Sequence, residues 1–125
     1  MTLAFSGLKI IDFTQVMAGP YASQLLAMLG ADVIKIETPG QGDQLRDMLK
    51  AEETEQYGMS PAFMSTNVGK RSITLDLKHP MSREIIERLL RDADVMMENF
   101  KAGSIERLGF GYQDVKKINP SIVYC

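Results

Sequence analysis

Three short segments carry the side chains best suited to holding an anionic ligand. Lys70-Arg71 precedes a predicted strand and Lys78 follows it. Glu98-Asn99-Phe100 comes just after a second apolar strand, with Lys101 next and Arg107 a few residues on. Guanidinium and ammonium groups bind phosphate oxygens through charge-assisted hydrogen bonds. An aromatic ring beside an amide can hold a purine by stacking and hydrogen bonding. Each group also has a plainer reading: solvated charge at strand ends, Phe100 in the core beside an ordinary loop, Arg107 as a surface charge. Spacing alone leaves both readings open.

Other chemistry is easier to dismiss. Gly19 lies in the first strand-to-helix turn, and Gly40-Gln41-Gly42 follows the second strand, but neither completes a G-x-G-x-x-G fingerprint. Ordinary dinucleotide binding needs that close backbone approach at the first turn. Gly69-Lys70 resembles part of a phosphate loop, yet Met64 stands where the leading glycine belongs and Arg71 replaces the magnesium-binding Ser or Thr. His79, the single histidine, precedes Pro80 and has no nucleophile signature near it, so a turn or capping role is expected. One histidine and one cysteine, Cys125, cannot build a structural zinc site or an internal disulfide. The nine methionines read mostly as core filler.

These segments must be positioned by a regular framework, and the pattern supplies one. Residues 8–13 form an apolar run that reads as a buried strand. Pro20 suits the first turn of a following helix. Leu25, Leu26 and Leu29 mark one apolar face of that helix, and Gly30 is placed to end it. Residues 31–36 read as a second strand, so the opening is a βαβ unit with a parallel pair. Residues 37–70 read as a long loop with one or two helical turns, and the charged stretch 50–57 shows no partner face. Alternation at Ile73, Leu75 and Leu77 marks a half-buried strand. A helix opening at Pro80, a strand at 94–97, short helices near 104–108 and 113–118, and a final strand at 121–124 complete the order. This is an α/β fold: the N-terminal part of a doubly wound, Rossmann-like parallel sheet.

The chain has 125 residues, 45% hydrophobic and 24% charged, which is globular composition. A net charge of −2 gives no electrostatic case for nucleic acid. No apolar run is long enough to span a membrane, and the N-terminus has no signal-peptide pattern, so a cytoplasmic protein is expected. The chain ends on a strand, and the expectation is that it is the first half of a larger α/β domain.

Five blocks, in order, resemble class III CoA-transferases of the CaiB/BaiF type. They are residues 7–14 with Ala18-Gly19-Pro20; residues 29–37 with Pro39-Gly40 and Gly42-Asp43; Asn67 with residues 70–78; Ala93-Asp94-Val95 with residues 98–100, Gly103, 106–109 and 111–112; and Asn119-Pro120 with residues 122–125. The resemblance implies longer chains that form interlocked homodimers. It implies coenzyme A or its acyl thioester bound as substrate, with no permanently bound cofactor, along the C-terminal edge of the sheet. The residues it assigns to coenzyme A are Met17, Ala18, Thr38, the segment from Leu75 to Lys78, Asn99, Phe100, Lys101 and Arg107. In the formyl-CoA transferase branch the positions of Met17 and Thr38 hold glutamine and often arginine, so this chain departs from that branch. The implied reaction moves coenzyme A between carboxylic acids through an aspartyl-CoA intermediate, and the nucleophilic aspartate is not among these 125 residues. Two alternatives stand beside it: a 2-methylacyl-CoA racemase of the same fold, and a non-catalytic binding or dimerisation module.

Overall fold

The computed structural model describes residues 2–48 and 58–125. The charged stretch 50–57 lies outside the described residues. Five strands form one parallel sheet: β1 (Lys9–Asp12), β2 (Asp32–Glu37), β3 (Arg71–Thr74), β4 (Val95–Met97) and β5 (Val123–Tyr124). Their spatial order is β3-β2-β1-β4-β5. The order reverses between β1 and β4, as in a doubly wound fold. Helix α1 (Ala18–Met28) joins β1 to β2. A 3-10 turn at Gln44–Arg46 and helix α2 (Pro61–Asn67) lie between β2 and β3. Helix α3 (Pro80–Arg91) leads to β4, and α4 (Ser104–Arg107) and α5 (Tyr112–Ile118) lead to β5. His79 caps α3, its Nδ1 accepting from the Met81 N–H at 3.2 Å, as the sequence suggests.

Side chains alternate between the faces of a strand, and the two faces here differ in kind. One carries the main core: Ile11, Phe13, Ile36, Leu75 and Met96 pack with Ile86 and Leu90 of α3 and Val115 of α5. The other carries a smaller apolar patch of Ile10, Ala31 and Val33, with Leu26 and Ala27 of α1 against it. Towards the C-terminal ends of the strands, that second face changes to Asp12, Lys35 and Glu37, all buried.

Those buried charges are fully partnered. The Asp12 carboxylate accepts from the Thr14 N–H (2.9 Å), the Thr14 hydroxyl, the Ser23 hydroxyl (2.6 Å) and the Lys70 ammonium (3.0 Å). Lys70 gives its other two hydrogens to the Pro20 carbonyl and the Asn67 side chain, both at 2.8 Å. Burial lowers the Lys70 pKa, and the attraction of Asp12 only partly offsets it. The expectation that Lys70-Arg71 is either an anion clamp or solvated charge is therefore corrected for Lys70, whose side chain is 2% exposed and structural; Arg71 is surface charge at the strand end. Arg71 pairs on the surface with Asp32 at 2.6 Å. Glu37 receives Arg46 through two nitrogens (2.7 and 2.8 Å), the Ser72 hydroxyl (2.6 Å) and the Asp43 N–H (3.0 Å). Burial works against its charge, but these donors prevail and hold its pKa near about 2.

The apolar stripe of α1 faces the sheet only in part: Leu26 is half-buried against the smaller patch, but the rest of the stripe is not. Tyr21, Leu25, Met28 and Leu29 are exposed, while Pro20, Ser23 and Gln24 are buried. Beside Leu26 and Ala27, the most buried positions are taken by hydrogen-bonding side chains: Ser23 reaches Asp12, and Gln24 holds α2 through the Ser65 carbonyl (2.9 Å) and the Val68 N–H (2.8 Å). The wiring of this face, as much as hydropathy, sets the rotation of α1.

Two outcomes are expected. A Cβ at Gly19 would stand 2.5 Å from the Thr14 Cβ and 2.6 Å from its Cγ2. Alanine usually gains about 1 kcal/mol over glycine inside a helix, but overpacking here costs about 1–3 kcal/mol. Gly19→Ala is expected to lower Tm by several degrees in a thermal melt; an unchanged or raised Tm would show that the turn relaxes freely. The depressed pKa of Glu37 stabilises the fold above its unfolded value of about 4.5 and is lost as pH falls towards 2. Its contribution is on the order of 3 kcal/mol. Glu37→Gln is expected to be less stable at pH 7 in denaturant titrations and to converge on the parent near pH 2–3. Parallel stability curves between pH 7 and 3 would refute this.

Candidate functional site

Parallel α/β sheets bind ligands outside the C-terminal ends of their strands, where the strand order reverses. Here that point lies between the loops after β1 and β4, and one side chain joins them. Asn99 accepts the Gln15 N–H at 2.8 Å and donates its amide to the Gln15 carbonyl at 2.8 Å. Asn99 thus commits both ends of its amide to the neighbouring loop while remaining exposed.

A second tether joins the loop after β2 to the loop after β1. The Val16 N–H donates to the Asp43 carboxylate at 3.0 Å. Asp43 is buried and also receives the Leu45 N–H (2.9 Å) and the Lys35 ammonium (2.8 Å). Lys35 in turn donates to the Thr14 carbonyl at 2.6 Å. Val16 sits at φ 70°, and among the described residues it is the only non-glycine with positive φ. A β-branched residue there is an outlier that its surroundings must enforce. The next residue, Met17, caps α1 without a side-chain cap bond and is 54% exposed; Ala18 is exposed beside it.

The loops after β2 and β3 enclose a cleft of about 470 Å³, lined by Thr38, Pro39, Asp76, Leu77, Lys78 and Leu108. Lys78 is exposed on its wall, with its N–H turned to Asp76 at 3.0 Å. Arg107 precedes Leu108 and is exposed, held by the Ser104 hydroxyl at 2.9 Å. Gly103, in the left-handed region at φ 78°, leaves the guanidinium room: a Cβ there would stand 3.2 Å from its Nη1. Lys101 is exposed, and Phe100 is half-buried, packed against the main core. Leu75 puts its side chain into that core, and its N–H goes to the Glu37 carbonyl at 2.9 Å. It has only its carbonyl left to offer a ligand.

The structure thus brings Thr38 and Lys78 into one cleft with Arg107 adjoining. Met17 and Ala18 sit at the first turn, and Asn99, Phe100 and Lys101 follow β4. Sequence reasoning missed Lys35, Asp43 and Val16. The available signal was weak: charged residues at alternate positions of an otherwise apolar strand. A recess of about 440 Å³ lined by Lys9, Asp32, Ile34, Arg71 and Arg88, among others, lies towards the N-terminal strand ends. That is the wrong edge for a ligand in this architecture. Among the described residues no group of three or more His, Cys, Asp or Glu is placed to hold a metal, and no helix is long and apolar enough to cross a membrane.

Comparison with known proteins agrees with this fold. A formyl-CoA:oxalate CoA-transferase from Afipia carboxidovorans is 45% identical over 127 residues, covering 98% of this chain and 28% of the relative. An acyl-CoA transferase from Fusarium pseudograminearum is 44% identical over the same shares. The crystal structure of a CAIB/BAIF family protein from Brucella suis superposes with a TM-score of 0.88 at 39% identity, over all of this chain and 33% of that one. The chain therefore spans less than a third of the length of the curated relatives it matches. The profile of CoA-transferase family III matches residues 5–125, and the chain belongs to that family.

Proposed function

We propose that this chain supplies a coenzyme-A-binding half-site of an enzyme that moves coenzyme A from an acyl thioester to a carboxylic acid. The observation that carries the reading is the cleft at the C-terminal strand edge, where Thr38 and Lys78 share a wall beside Arg107. Coenzyme A is a polyanion with an adenine at one end and a thiol at the other. Lys78, Lys101 and Arg107 are the exposed cations at this edge suited to its phosphates. Pro39, Leu77 and Leu108 in the cleft, and the half-buried Phe100 ring after β4, are apolar surfaces that could take the base. Met17 and Ala18 stand at the first turn, where the thioester end is expected to lie. Met17 is apolar and exposed, which favours an acyl group bulkier and less polar than formyl.

In the proposed reaction an aspartate outside these residues attacks the thioester carbonyl, and the carbon–sulfur bond breaks to give a mixed anhydride and coenzyme A thiolate. The thiolate then attacks the aspartyl carbonyl, releasing the first carboxylate and leaving an aspartyl thioester. An incoming carboxylate attacks that thioester to form a second anhydride, and the thiolate returns to its acyl carbon, restoring the aspartate. The thiolate must stay in place through both exchanges, so the task of this chain is to retain coenzyme A rather than to react with it.

Calorimetric titration of the chain with coenzyme A tests the reading. Saturable binding is expected, weakened about tenfold by Arg107→Ala and by Lys78→Ala, since each removes a charge-assisted contact. Arg71→Ala, at the opposite strand edge, should leave the affinity unchanged. Equal loss in all three variants would mean non-specific charge attraction. The same sample is expected to show no transferase turnover, and measurable exchange of coenzyme A would overturn that assignment.

A further inference from the structure

We propose that Asp43 is a positioning residue for this site, its carboxylate holding Val16 in the left-handed conformation that presents Met17 and Ala18 at the switch point. The inference rests on reading this edge as the coenzyme A site. A valine at φ 70° persists only where its surroundings over-determine it. Three successive residues of this turn have their backbone polar atoms held by side chains from elsewhere. The Thr14 carbonyl accepts from Lys35, Gln15 is bound at both its N–H and its carbonyl by Asn99, and the Val16 N–H donates to Asp43. Of these tethers, the Asp43 bond is the one to an atom of Val16 itself, and it holds the N–H end of the planar peptide unit whose Gln15 carbonyl end Asn99 holds.

Asp43 is itself fixed on every side. Its carboxylate meets the Lys35 ammonium and the Leu45 N–H, and its own N–H is bound by Glu37. Gly42, at φ 68°, makes this possible: a Cβ there would stand 2.7 Å from Glu37 Oε2 and 2.8 Å from the Arg46 side chain. The carboxylate is therefore a rigid fixture on which the turn is hung. It is buried and does not reach the ligand edge itself, so it acts through Val16.

A double-mutant cycle tests the link. The cost of Asp43→Ala is measured in the parent and in a Val16→Gly background, because glycine reaches φ 70° unaided. The readouts are the Kd for coenzyme A, taken well below Tm, and Tm itself. Asp43→Ala is expected to weaken coenzyme A about tenfold with Val16 present and less than about threefold in the Val16→Gly background. Equal losses in both backgrounds, or no loss in either, would overturn the proposal. Asp43→Ala strands a buried ammonium, so Lys35→Met with Asp43→Ala serves as the companion, compared with Lys35→Met alone. Failure of both to fold in either background would also overturn it, since Asp43 would then act independently of Val16. If the parent chain binds no coenzyme A, the site reading fails separately. The Tm cycle still decides the Asp43–Val16 link, with a smaller Tm loss in the Val16→Gly background expected and equal losses contradicting it.

Discussion

Lys70 and Asp12 are both withdrawn from water, and neither is tolerable alone. Removing one partner of such a pair costs about 3–5 kcal/mol, because the other is left as an uncompensated buried charge. The attraction between them does not by itself repay the desolvation of the ammonium, whose pKa remains depressed. What makes the pair sustainable is that all three Lys70 hydrogens and both Asp12 oxygens have partners. Those partners come from β1, the first turn, α1, α2 and the entry to β3. A single satisfied charge pair thus dictates how five segments meet, and the candidate site at the C-terminal strand ends inherits its geometry from them.

The same economy recurs around Glu37 and Asp43. Two carboxylates on adjacent stretches of chain collect donors from Arg46, Ser72, Lys35 and three backbone N–H groups. The loop after β2 is folded about them, which is why a segment rich in glycine and proline can have a defined shape here. In a binding site this matters because rigid loops lose little entropy when a long, flexible ligand settles on them.

Much of the framework was legible in the sequence. The apolar runs at 8–13 and 31–36 and the Pro80 helix start appear where the pattern puts them, and Ile73, Leu75 and Leu77 all meet the main core, although the strand itself ends at Thr74 and leaves Leu75 and Leu77 beyond it. The capping role of His79 was legible because an N-cap is a local interaction. The buried charges were not. Asp12 and Lys70 are 58 residues apart, and a lysine in a turn reads as solvated until its partner is known. Lys35 and Glu37 sit on the same face of β2 as Val33, where charge ordinarily signals solvent. Tertiary pairing reversed that signal. The candidate ligand residues were legible only through the five blocks read together, since each basic side chain taken singly is indistinguishable from surface charge.

Helix α1 carries its polarity inside out. Serine and glutamine face the interior because they wire the network, and tyrosine, leucine and methionine are turned outward in their stead. A designer scoring this helix by hydropathy would rotate it to bury Leu25 and Met28 as well, and in doing so would disconnect Asp12 and release α2. Tolerance to substitution along α1 accordingly runs opposite to custom: Ser23 and Gln24 are the ones the fold cannot spare, and the large apolar Tyr21, Leu25 and Met28 are those the isolated chain could exchange.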